Sequence, residues 1–340
     1  MKRLSLILTA MGLSLVVSAQ DYHFSQFTAV PFSANPAAAG LMHRHNDYRL
    51  FNHYKRQWGQ TGAGYRTFVL SADKPFFQAD FKKSYLGAGI QLISDKAGEG
   101  SLAETQLALS VAGHVKTSRM STVSLGLKAG RVSRRLDFGA LTWDSQWDGR
   151  AGYDPSLASN EQNEMLRSGY FDFGAGISWW RRDRDGNGFE AGASAQHLTA
   201  PDRSFTGYSS EKVPMLLSSY ARGQVPIGKE NKTNSLIPSV LTMVQGPHLE
   251  MTGGVSFRHQ VVEASRYTRL RYRIAYEIGG LYRVGDAAIL VLAVEKEQWR
   301  FGFSYDFNNS GLAIGTRYRG GPEVTLRYTG QLKNSRRHAL

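Results

Sequence analysis

From about residue 46 to 330 the chain alternates apolar and polar positions with a period of two, segment after segment. Successive side chains of a β-strand point to opposite faces, so this alternation places two different solvents on the two sides of a sheet. Residues 85–92 set Leu86, Ala88, Ile90 and Leu92 against Tyr85, Gly87, Gly89 and Gln91. Residues 123–130 set Val123, Leu125, Leu127 and Ala129 against Ser124, Gly126, Lys128 and Gly130. Residues 170–179 set Phe171, Phe173, Ala175, Ile177 and Trp179 against Tyr170, Asp172, Gly174, Gly176 and Ser178. The pattern recurs over 189–196, 299–307 and 323–328, and long helical periodicity is missing.

A soluble sandwich also alternates, because it buries one face against a second sheet. Two features favour an all-β transmembrane antiparallel barrel. Aromatics gather at segment ends (Trp58, Phe76, Phe77, Trp179, Trp180, Trp299, Phe307), as in interfacial girdles. The polar faces carry Arg and Lys beside Gly, which suits a hydrated or plugged lumen. The pattern predicts about fourteen strands, near 46–57, 62–73, 84–95, 101–116, 119–133, 168–181, 187–199, 213–227, 233–245, 248–259, 269–283, 287–295, 297–307 and 321–330. The longest gaps, 134–167, 200–212 and 308–320, are the fifth, seventh and thirteenth connections. All are odd, as expected of outer loops when the first strand runs outward from the periplasm.

The N-terminus reads as a signal peptide over 1–19. Lys2 and Arg3 form a positive start, Leu4 to Val17 an apolar run, and Val17-Ser18-Ala19 a small-residue cleavage site. Residues 20–45, with Pro31 and Pro36, are expected to form a periplasmic arm or a lumenal plug. The barrel then spans 46–330, and 331–340 is a basic tail. Mean hydropathy is −0.35, which rules out a helical membrane protein but not a barrel, whose two faces average out. Net charge is +13. On an exported chain with spread basic residues this favours a charged lumen and loops over nucleic acid. Without cysteine there is no lipobox, disulfide or thiolate metal site.

Other motifs resolve into structure. Asp183-Arg184-Asp185-Gly186-Asn187-Gly188 opens like an EF-hand loop, but the twelfth position is Ser194 and no flanking helices are visible. A tight turn explains it better. His43 and His45 lack further ligands. Asp144, Asp148 and Asp154, with Trp143 and Trp147, read as an aromatic-braced outer loop. No nucleophile elbow or Walker loop is present, so neither an enzymatic activity, a cofactor nor a metal is expected.

The start of the mature chain, Asp21-Tyr22-His23-Phe24-Ser25-Gln26-Phe27 followed by Asn35-Pro36-Ala37-Ala38-Ala39-Gly40, resembles the PorP/SprF family, which opens with "HFSQ" and then "NPA..G". Tyr54-Lys55-Arg56-Gln57-Trp58 is similar to the family's "YR.QW", and Leu86 to Gly89 with Ser94 to Gly98 is similar to "GLG…DKAG". His197-Leu198 with Pro201, Tyr305-Asp306-Phe307-Asn308, and Gly320-Gly321 complete the series. The chain departs from the family at its end, where a basic tail follows Tyr328.

The resemblance implies an outer-membrane component of type IX secretion in a Bacteroidota-type cell, tied in gliding species to export of surface adhesins. Its implied partners are membrane lipid, periplasmic and outer-membrane secretion components, and secreted cargo or its C-terminal domain. It marks His23, Phe24, Ser25, Gln26, Phe27, Asn35, Pro36 and Gly40 as partner-binding, on a periplasm-side surface, the other reading being a plug or rim element that serves stability alone. Asn35-Pro36 favours a turn, Gly40 tolerates positive φ, and Phe24 and Phe27 are expected to anchor the segment to the wall. The alternative is a passive porin or uptake channel, with Lys128, Arg131, Arg271 and Arg273 as lumenal charges setting anion preference.

Overall fold

The structure is a computed structural model and describes residues 21–29, 31–42, 46–59, 64–77, 83–98, 102–137, 141–149, 152–154, 156–158, 165–183, 186–206, 208, 210–228, 233–264, 271–311 and 313–332. The expected signal segment, His43, His45, Arg184, Asp185 and the tail from 333 lie outside these residues, as do the side chains of Arg271 and Arg273.

The strands are β1 (Tyr48–Gln57), β2 (Tyr65–Phe76), β3 (Ser84–Ala97), β4 (Leu102–Lys116), β5 (Ser121–Asp137), β6 (Met165–Arg182) and β7 (Gly188–Gln196). They continue as β8 (Leu216–Ile227), β9 (Asn234–Gln245), β10 (His248–Ala264), β11 (Arg271–Arg283), β12 (Ala287–Lys296), β13 (Trp299–Asn308) and β14 (Arg319–Gly330). Each pairs antiparallel with its neighbours in sequence, and β1 pairs with β14 from Tyr48↔Gly330 to Lys55↔Glu323, closing a fourteen-stranded barrel. Closure leaves no sheet edge to be satisfied, the condition for strands to cross a bilayer.

Burial follows the alternation. In β5, Ser124, Gly126, Lys128 and Gly130 are buried, while Leu125 and Leu127 are 64% and 68% exposed. Leu107, Leu109 and Val111 of β4 and Phe171 and Ile177 of β6 extend the same apolar outer face. An apolar surface running round a closed sheet belongs in lipid. Arg131 falls on this outer face, with its guanidinium 5.2 Å from the Phe171 ring centroid. It is therefore not a lumenal charge, because it shares the parity of Leu127 and Ala129.

Observed strands differ from the expected spans by a few residues. β2 extends to Phe76 because Lys74 and Pro75 keep pairing with Ala88 and Gly87 of β3. β6 begins at Met165, matched to Asp137 at the end of a longer β5. The longest connections, 138–164, 197–215 and 309–318, are all odd-numbered and lie at one rim. By the length rule that rim faces outward. At the other rim, Asp183 Oδ1 accepts the Asn187 amide at 2.8 Å and Gly186 has φ +89, so the EF-hand look-alike is a tight turn. In the outer loop, Trp147 bridges to Tyr153, and the Asp148 and Asp154 carboxylates accept the amides of Gly152 and Ser156.

Residues 21–42 lie inside the barrel, as short helical turns at Phe27–Ala29, Pro31–Ala34 and Pro36–Ala38. The segment enters from the periplasmic end, where Gly40 and Leu41 lead towards β1, and finishes near the outer rim at Asp21.

Candidate functional site

The site is this lumenal segment and the wall that holds it. At its outer end Glu323 of β14 takes two consecutive backbone donors, the Ser25 amide at 2.9 Å and the Gln26 amide at 2.7 Å. The Ser25 hydroxyl donates to Asp306 of β13 at 2.7 Å and accepts from Arg283 of β11 at 2.8 Å. Arg283 also lies 3.1 Å from Asp306. Gln26 donates to the Glu323 carbonyl at 3.1 Å and accepts from Thr325 at 2.9 Å. Lys55 donates to the His23 carbonyl at 2.7 Å. Charge-assisted bonds of this kind contribute about 1.5–3 kcal/mol each.

Apolar seats complete the hold. Phe24 packs with Val69 and Ile93, and its ring centroid lies 4.2 Å from that of His53. Phe27 packs against Leu241, Leu281, Ile289 and Val291. Burying each ring contributes about 1.5–3 kcal/mol. The two phenylalanines do anchor the segment, in sockets made by inward-facing aliphatic residues at positions the alternation marks as polar-facing.

Further down, Asn35 is extended, the conformation that a following proline favours, at φ −148 and ψ 114. Its Oδ1 accepts the Ala37 amide at 2.9 Å, capping the turn that Pro36 begins. Its Nδ2 donates to the Ile177 carbonyl of β6 at 2.8 Å. Gly40 has φ +71 and donates its amide to Asp73 at 2.7 Å. A side chain there would meet the Gly87 Cα at 2.5 Å, so both its conformation and its surroundings demand glycine. Asp73 is held by a fork from Arg49, at 2.9 and 2.6 Å.

Titratable groups cluster at the outer end. His197, just after β7, places Nδ1 2.9 Å from Asp172 and Nε2 2.6 Å from Asp21. Burial opposes its charge, but the hydrogen bonds and charges of Asp172 and Asp21 outweigh it and raise the imidazole to about 9. Burial likewise opposes ionisation of Asp21, yet His197 and Lys128 hold its carboxyl below the usual range. His23 behaves oppositely: burial, then Lys55 and Arg283, push it well below the ordinary histidine value. Its neutral ring lies 3.2 Å from Glu250 through Nδ1 and takes the Gln57 amide at 3.3 Å on Nε2.

Of the residues marked from sequence, Phe24, Ser25, Gln26, Phe27, Asn35, Pro36 and Gly40 are buried and His23 is half-buried. All stand in one segment, but it does not form a periplasm-side surface. His23 to Phe27 contact the ends of strands next to the outer connections, and only Asn35 to Gly40 reach the periplasmic half. The wall residues Glu323, Asp306, Arg283, Asp73, Asp172 and His197 were not singled out as a site by sequence reasoning. Glu323, Arg283, Asp73 and Asp172 were signalled only as charged residues at inward positions of alternating strands, and His197 and Asp306 as members of the motif series. Among the described residues no cluster of three His, Asp or Glu side chains is placed to hold a metal.

Solved barrels share the general form only. BamA from Haemophilus ducreyi is 10% identical, covering 84% of this chain and 70% of that one at a TM-score of 0.43. A FadL homologue of Pseudomonas aeruginosa is 13% identical, covering 87% and 92%, with a TM-score of 0.43. The toluene transporter TodX of P. putida is 10% identical, covering 88% and 93%, with a TM-score of 0.42. No curated protein matches the sequence. The family model for the type IX secretion system membrane protein PorP/SprF, by contrast, matches residues 16–328. Nearly the whole described barrel and all of the lumenal segment fall within that match, and the chain belongs to the PorP/SprF family of type IX secretion membrane proteins.

Proposed function

We propose that this outer-membrane barrel receives or retains secreted cargo proteins, such as surface adhesins, and docks with other type IX components without catalysing a reaction. The reading includes export by a cleaved signal peptide over 1–19 and, in gliding species, a role in motility. The observation that carries it is the lumenal segment. A barrel whose interior is crossed by its own chain, tied to the wall at both ends, is built to hold a state rather than to pass solutes. The cavities beside residues 21–34 of the segment are of about 40 and 10 Å³, room for little more than a few waters, and the larger lumenal space lies below them at the periplasmic end. The motif residues His23 to Gly40 are then responsive to partners rather than exposed to them: a partner reaches them by undocking the segment. The long outer loops and the two rims are the surfaces available for cargo and machinery.

Deletion of the gene followed by surface proteomics tests this. The expected result is loss of particular surface or secreted proteins with unchanged small-solute uptake. Normal secretion together with large open-state conductance of the purified barrel would instead favour a porin.

A further inference from the structure

A second feature lies at the periplasmic end of the segment, beside Met42 and the Arg49 that holds Asp73. In the periplasmic half of the lumen a cavity of about 400 Å³ is lined by Arg49, Arg182, Arg222, Arg258, Arg300 and Arg327. That volume is in the range of ligand sites, about 300–1,000 Å³. Some of these guanidiniums are already committed. Arg300 pairs with Glu277 at 2.6 Å, Arg258 with Glu295 at 3.3 Å, and Arg49 with Asp73. Arg182, Arg222 and Arg327 make no side-chain hydrogen bond or ion pair with any described residue.

The sheet register makes this costly. Arg300 and Arg327 are direct cross-strand partners in β13 and β14. Like charges in that relation destabilise a sheet. Arg327 also lies within the fields of Arg300, Arg49 and Arg222, with Glu295 as the one attractive charge named beside it. Glu277 and Glu295 attract Arg222 and Arg327 in part, but six guanidiniums face three carboxylates, and a cavity with that excess of positive charge gains when an anion enters it. The lining also offers acceptors, the amide side chains of Gln224 and Gln298. A phosphate dianion has a single O–H to donate and leaves most of these acceptors unmatched. An acidic peptide brings carboxylates for the guanidinium forks and backbone N–H groups for the acceptors, matching both.

We propose that this cavity binds an acidic peptide segment of a periplasmic partner, entering from the periplasmic mouth. The assignment rests on the reading of the chain as a secretion component that docks with periplasmic proteins. Arg222 and Arg327 are the principal recognition residues, and Arg182 guides the approach at the end of β6.

The test uses the purified full chain in detergent and labelled hexaglutamate, with hexaglutamine as the uncharged counterpart. Hexaglutamate is expected to bind with strong salt dependence and hexaglutamine not to bind. Combined Arg222→Gln and Arg327→Gln should weaken hexaglutamate by about tenfold or more, while Arg203→Gln, in the outer loop, should leave it unchanged. Equal binding of the two peptides, undiminished binding by the double variant, or stronger competition by pyrophosphate than by unlabelled hexaglutamate would overturn the assignment. Should the double variant fail to fold, the cysteine-free background allows Thr329→Cys, which lines the same cavity. Hexaglutamate should slow its reaction with a charged maleimide severalfold, and no slowing would again overturn the proposal. These readouts involve no secretion. Intact peptide binding with normal secretion after gene deletion would therefore sink the functional reading alone.

Discussion

Single atoms decide whether the lumenal segment seats. At Gly126 a Cβ would sit 2.3 Å from the Ala37 amide nitrogen and 2.4 Å from the Pro36 carbonyl carbon, both backbone. Neither can rotate away, so Gly126→Val should displace the segment at a cost of about 1–3 kcal/mol. Gly113→Val, on the outer face of β4 where a Cβ meets nothing within 4 Å, is the matched control. Planar-bilayer conductance should rise for the first and not for the second. The histidines make the hold pH-dependent with opposite signs. His197, raised to about 9, contributes docking strength that is complete below its ordinary value near 6.5 and lost as pH climbs through about 9. His23, depressed, contributes strength present above 6.5 and lost as pH falls below it. Protease access to the N-terminus should therefore be lowest near neutral pH. Asp21→Asn removes one of the two carboxylates on His197, so it should lower the imidazole value in an NMR titration and flatten the alkaline limb.

At the scale of elements, the segment and the barrel are separable in their hydrogen bonding. The ladders from β1 to β14 close without help from residues 21–42, whereas the segment depends on the wall. Glu323 is the most concentrated contact, taking two main-chain donors at once. Glu323→Gln leaves one acceptor oxygen and turns an amide donor towards another donor, so docking should weaken by about 2–3 kcal/mol. β14 should keep its pairing with β1 and β13. The expected signature is an N-terminus open to protease in a barrel that still shows heat-modifiable migration. Loss of the barrel itself would show that the segment is a folding element rather than a docked one.

For the molecule as a whole, stability lies in a closed sheet between two solvents. Leu127 is 68% exposed on the outer face. Leu127→Arg should destabilise folding into lipid vesicles by about 2–4 kcal/mol if the residue lies near the bilayer midplane, as read by urea titration. The same alternation explains what was legible from the chain. Lipid on one side and polar groups on the other impose a period of two, so strand number, closure and the faces of Leu125 and Lys128 could be read directly. Arg131 was misassigned because a charge suggested the lumen, while parity placed it beside Phe171.

Sequence alone was sufficient for the local facts: strands, turns at Asp183 to Asn187 and at Asn35-Pro36, and the long outer connections. It was sufficient because each follows from neighbouring residues and the solvent they meet. The path of residues 21–42 was settled only in three dimensions. Ser25 meets Glu323 across 298 positions of chain, and nothing in local periodicity carries a contact over that span. The same holds for Val69, Ile93 and Leu241, apolar residues facing a lumen, whose presence makes sense only once Phe24 and Phe27 are seated on them. Long-range pairing of buried charges and ring sockets is a property of the closed barrel, which brings distant strands to one axis.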